Sequence, residues 1–230
     1  MRRRRGVSVP RGRAAAARRE GRAARERPRR PLRLRGDHPG DGGAPSGLGF
    51  TSAELLSSGA QAALAATALV EGISRCITVR IASGLDAHFA DDWGALHGPL
   101  LRGGFDAVAA LAADLAAREY LDTGESWLDH TTIVGFSEFG RAALLNENGG
   151  RDHALTNACF LLGAGIRGGT VVGASSDVGM APQAIDLATG TLDPNGETPR
   201  PEHVWEALLS TVGLEGTTAL GVSPLAAVLA

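Results

Sequence analysis

Three kinds of side chain that bind cations or move protons recur along the middle of the chain. Asp86 and His88 stand two apart, Glu138 follows some fifty residues on, and His153 comes after it. Arg141 and Arg151 accompany the last two. Carboxylates and imidazoles are the ligands that divalent ions select, and either can serve as a general base. A guanidinium can hold a tetrahedral oxyanion through two parallel N–H bonds. Each small group also has a plainer reading. A loop Asp two before a His is often a turn cap. Ser137-Glu138 can cap a helix or form an ion pair. Arg151-Asp152-His153 can be a surface pair beside a solvated imidazole. None of Ser83, Ser137 or Thr156 has a readable partner set for a nucleophile, so no catalytic residue is assigned. His97, His130 and His203 lack partners at readable spacing and read as structural.

The neighbouring elements decide between these readings. Thr131 to Phe136 is a β-branched and aromatic run that stops at Glu138. A polar loop carries Gly149-Gly150-Arg151-Asp152-His153, and a second apolar run, Ala158 to Leu162, follows. Apolar strands covered on both faces belong to α/β sheets, whose ligands sit beyond the carboxyl ends of the strands. That places Glu138 at the rim of a site. Asp86 and His88 fall in the loop after another run, Cys76 to Ala82, which reads as a buried strand. Cys76 and Cys159 both lie in apolar runs and read as buried free thiols.

Helical segments alternate with these runs. An Ala/Leu-rich helix is predicted from Thr51-Ser52 to about Glu71. The spacing of Leu101, Phe105, Val108, Ala112 and Leu115 predicts a second helix within 96–120. Thr170 to Ala174 reads as a short strand. Pro201 opens a last helix that stops at Gly213. The order describes an α/β sheet layered with helices. Gly163, Gly165 and Gly168 have dinucleotide-loop spacing after a strand. A turn into another strand follows them where that motif needs a helix, so a dinucleotide site is rejected.

Composition divides the chain. Residues 1–35 hold 15 of the 23 Arg and two acids, whereas residues 36–230 hold eight Arg against 23 Asp or Glu, a net of −15. There is no Lys. The acidic body repels phosphates and does not suit nucleic-acid binding. Residues 1–48, Arg/Ala-rich and then Pro/Gly-rich, cannot bury enough surface to order themselves. They read as a disordered or spurious extension in preference to an arm for nucleic acid or anionic lipid. The domain proper is 49–230. The opening arginines are not followed by the apolar stretch of an export signal. No run is long and apolar enough to span a membrane.

Together these segments resemble a bacterial domain-of-unknown-function family, number 1501, which looks like a divergent branch of the alkaline phosphatase/sulfatase superfamily. The resemblance rests on Gly84-Leu85-Asp86-Ala87-His88, Ser137-Glu138-Phe139-Gly140-Arg141-Ala142, Gly150-Arg151-Asp152-His153-Ala154 and the glycines from Gly163 to Gly169. It covers the chain from about Thr51 to its end. It implies an α/β fold of the alkaline phosphatase kind, a layered sheet with helices on both faces, present here as a C-terminal portion. It implies that Asp86, His88, Glu138 and His153 ligate a divalent metal (zinc, magnesium, manganese or calcium). Arg141 and Arg151 would bind a phosphate or sulfate ester. Members of the family often look exported. Phe139 departs from the pattern: it stands where active superfamily members carry a His or Asn ligand. The superfamily's first metal-binding Asp and its nucleophile would lie upstream of the matching region. The implied function is a sulfatase/phosphatase-like hydrolase, inactive as this chain. The alternative is a non-catalytic binding or assembly domain on the same fold.

Overall fold

In a computed structural model of the chain, residues 52–214 and 220–230 are described. The extension expected over residues 1–48 lies outside them. The described residues belong to one unit of the chain, Gly36–Ala230.

After a short turn of helix at Ser52–Leu55, helix α1 spans Ser58–Val70. Ser57 caps it, its hydroxyl accepting from the Ala60 N–H at 3.2 Å. Gly72, at a φ of +68°, turns the chain out of it. Helix α2 spans Gly98–Ala117 and continues directly from a wider turn at Trp93–His97. Its inward stripe is Gly104, Ala107, Leu111 and Leu115, a spacing of three and four. The stripe packs on Ala62 and Ala66 of α1, with Trp127, Leu128 and Ile133 closing the cluster.

Strand β1, Thr132–Phe136, pairs antiparallel with β4, Cys159–Gly163; Thr132 faces Gly163 and Phe136 faces Cys159. Gly135 has no side chain because the Phe160 ring crosses it; a Cβ there would lie 2.1 Å from a ring carbon. Side chains alternate across the ladder. Ile133 packs on the α1–α2 cluster, while Leu161 joins a second cluster around Ile185, Ala207, Leu225 and Val228. The two-stranded ladder thus has helical layers on both faces. The second layer is α3, Pro201–Thr211, with Pro in its first turn. The C-terminal tail is pinned to it and to the segment that follows β4. Leu225 N donates to His203 O at 2.9 Å, and Arg167 N donates to Val228 O at 2.9 Å. Strands β2, Gly140–Arg141, and β3, His153–Ala154, form a second short antiparallel pair.

Several local expectations change. The helix predicted from Thr51-Ser52 breaks after Leu55 and restarts at Ser58, and of the stripe predicted on α2 only Leu115 is buried, Phe105 being exposed. Cys76 to Ala82 is extended, but it has no ladder partner among the described residues. Its burial alternates, Ile77, Val79 and Ile81 being more covered than Thr78 and Arg80. It lies along α2, where Gly104 leaves room for the Ile81 carbonyl; a Cβ would meet that oxygen at 2.6 Å. One covered face, not two, is the physical reason that it is not a buried strand. Thr170 to Ala174 forms no strand. Both cysteines are exposed. Cys159 sits on β4 with its thiol partly withdrawn from water, which raises its pKa.

Candidate functional site

The cluster forms where two loops meet. The first is Ser83 to Phe89, which leaves the extended segment through Gly84 at a φ of +69°. Alternation along it turns Ala87 wholly inward and leaves Asp86 and His88 toward the outer side. The second is the excursion from β2 to β3. It approaches the first so closely that a Cβ on Gly150 would stand 2.0 Å from the His88 carbonyl carbon. Arg151 N donates to Ala87 O at 2.7 Å, and Ala90 N donates to Asn148 O at 3.2 Å.

His88 uses Nδ1 to hydrogen-bond Asp86 Oδ1. That bond, with help from the charges of His88, Arg141 and His153, holds the Asp86 carboxyl below its ordinary pKa. The other ring nitrogen, Nε2, lies 3.5 Å from Arg141 Nη1. Arg141 is the most buried member, its side chain 9 % exposed. It donates to Leu85 O at 2.7 Å and Arg151 O at 3.0 Å, and its Nη2 lies 3.6 Å from Asp86 Oδ1. Opposite Arg141 across the β2–β3 pair stands His153. Its ring stacks on Phe139 at 3.8 Å between centroids and lies 5.0 Å from the ring of His88. Arg141 also covers the Phe139 ring, at 5.3 Å.

Asp86, His88, Arg141 and His153 are therefore brought together. Glu138 and Arg151 stand differently. Glu138 is exposed in the turn between β1 and β2, with no hydrogen bond or ion pair to the cluster. Among the described residues no three His, Cys, Asp or Glu side chains are grouped to hold one ion. Arg151 turns its guanidinium into the framework. It donates to the carbonyls of Ala142, at 2.9 Å, and Ala143, and covers Trp93 at 4.9 Å. Its Nε is buried without a hydrogen-bond partner.

Ser137, the hydroxyl nearest to Glu138 in sequence, lies 2.8 Å from Phe139 O and 3.1 Å from Asn157 Oδ1. Neither partner is a base that could activate it. Two contributors were invisible to sequence reading. His97, set aside there as structural, is buried and stacked on Trp93 at 4.5 Å. Burial, and then the nearby Arg141 charge, lower its pKa. Asn146 bonds to both loops, and no spacing signal marks it. The other two His set aside are held locally, His130 by Glu125 at 2.7 Å and His203 by Arg200 at 3.2 Å. Two surface concavities, one bordered by Asp129, His130 and Gly165 and one by Leu56, Arg80 and Pro99, include no member of the cluster.

A domain with this loop cluster at the end of a layered hairpin has a family. The chain belongs to the family described as "Protein of unknown function (DUF1501)", which matches residues 5–192. The matched range takes in the Arg-rich leader and every member of the cluster and ends before α3. No curated protein and no solved structure matches the chain.

Proposed function

We propose that the chain is a sulfatase/phosphatase-like domain related to the alkaline phosphatases, and that its Asp86–His88–Arg141–His153 cluster is the counterpart of an ester-hydrolase site, without turnover in this chain. One observation carries the reading. Segments some sixty-five residues apart in sequence place the imidazoles of His88 and His153 5.0 Å apart, beside a carboxylate and a guanidinium. Convergence of these types is what ester chemistry at phosphorus or sulfur asks for: cation ligands, and a positive group for the oxyanion. His88, with Nδ1 bound by Asp86, has only Nε2 left as a donor atom, so Asp86 acts by orienting the ring. Arg141, not Arg151, is the guanidinium that lies against Asp86 and His88, although both of its terminal nitrogens also donate to backbone carbonyls.

A divalent ion, if held, would polarise the ester oxygen. The donors as arranged fall short of a full set, because among the described residues no three are grouped. A non-catalytic binding or assembly domain on the same fold is the second reading. It is favoured by the Arg141 guanidinium, a cation already lying against Asp86 and His88.

The test is calorimetric titration of the whole chain with zinc, magnesium and manganese, together with turnover of p-nitrophenyl phosphate and sulfate. Expected are no turnover and at most weak metal binding, as an incomplete donor set dictates, which His153→Ala removes. Absence of metal binding would support the second reading. Turnover lost on His153→Ala would overturn the claim of inactivity.

A further inference from the structure

We infer that Asn146 is the positioning residue of the cluster: its amide joins the His88 loop to the Asp152–His153 loop and so sets the approach of the two imidazoles. The inference rests on the reading that His88 and His153 belong to one site. The Asn146 side chain uses its whole hydrogen-bonding capacity. Its Nδ2 donates to His88 O at 3.1 Å and to Asp152 Oδ1 at 2.8 Å. Its Oδ1 accepts from Asn148 N at 3.0 Å and from Gly150 N at 2.9 Å.

The two halves of the amide do different work. The acceptor half closes the turn from Asn146 to Gly150, a turn also held by Gly149 N to Asn146 O at 3.0 Å. The donor half crosses from that turn to the backbone of His88 and to the residue preceding His153. No strand ladder of any length spans this junction; Phe89 and Gly149 make only a single antiparallel pair. The bond to His88 O is partly withdrawn from water, so the loss of its donor leaves that carbonyl in want of a partner, whereas the bond to Asp152 is exposed.

Asn146→Asp separates the halves because it is isosteric. It keeps both acceptor bonds, removes both donor bonds, and sets a carboxylate against Asp152. The experiment is histidine-resolved nuclear Overhauser spectroscopy on the full chain. In the wild type a contact joins the ring protons of His88 and His153. In Asn146→Asp that contact is expected to vanish, while the Phe139–His153 contact and the Ile133–Leu162 contact across β1 and β4 persist. A His88–His153 contact that survives in the variant would overturn the inference. Should the variant lose the β1–β4 contacts as well, side-chain amide exchange in the wild type decides. Asn146 Nδ2 protons exchanging more slowly than those of exposed Asn195 support the role, and equal rates overturn it. Neither readout uses a metal or an ester, so the failure of the hydrolase-like reading would show separately.

Discussion

The α1–α2 layer and the loop cluster are held by opposite means. In the helical layer Ala62, Ala66, Ala107, Leu111 and Leu115 remove apolar surface from water, and no buried polar bond is needed to define the contact. In the cluster Ala87 is the one fully buried apolar side chain. Its geometry comes from side chain-to-backbone hydrogen bonds of Arg141, Asn146 and Arg151, and from Gly150, where two backbones touch. The helical layer is non-directional and tolerant of sequence. The cluster is directional, and each bond in it depends on one residue type. The first makes the unit stable, and the second makes a particular arrangement of imidazoles, carboxylate and guanidinium.

That contrast can be broken first at its strongest point. Leu115 is wholly buried. Leu115→Ala should destabilise the chain by about 2–5 kcal/mol, the sum of lost transfer energy and an unfilled cavity. Chemical denaturation read by circular dichroism would measure it. A loss below about 1 kcal/mol would mean that the helical layer is not the main source of stability.

A methyl group added at Gly150 tests the other region. It would fall within 2.3 Å of three backbone atoms of His88 and Phe89, none of which can swing aside as a side chain could. Gly150→Ala should cost roughly 1–3 kcal/mol by overpacking. Unlike Leu115→Ala it should separate the His88 and His153 rings while leaving the helix signal intact. Unchanged chemical shifts for both histidine rings would show that the loops are not in contact.

The smallest effect concerns charge. The Asp86 carboxyl titrates below its unfolded value, chiefly through the bond from His88. A depressed carboxylate pKa stabilises the fold above the unfolded value and ceases to do so as pH falls through the folded value. The contribution should therefore be present at neutral pH and fade in acid, below about pH 4. Because Asp86 is solvent-facing, the effect on melting temperature should be slight. Comparing wild type with Asp86→Asn across that range checks the sign. A wild-type advantage that grows on acidification would refute it.

Much of the helical layer was legible because its signal is local. Pro201 and Gly213 report nearby constraints and bound α3. The apolar spacing marked a helix where α2 lies, but its buried face is Gly104, Ala107, Leu111 and Leu115, with only Leu115 of the predicted stripe. Helix α1 starts after Ser57, the predicted start near Ser52 being a separate short turn. The apolar runs marked β1 and β4 for the same reason. Burial of the Cys76 to Ala82 segment was misread because an apolar run does not say how many of its faces another layer will cover. The cysteines followed that error.

Of the cluster, the sequence by itself determined the residue types and their membership in a family, through Asp86, His88, Arg141 and His153. Only the tertiary structure decided which of them meet. It brings His153 to His88, turns Arg151 onto carbonyls, leaves Glu138 in solvent, and engages Asn146 and His97. The physical reason is that an imidazole or a guanidinium has the same chemistry wherever it stands, while its partners are set by backbone approaches between loops some sixty residues apart. Those approaches depend on the absence of a Cβ at Gly150 and on one amide at Asn146, and neither carries a periodic signal along the chain.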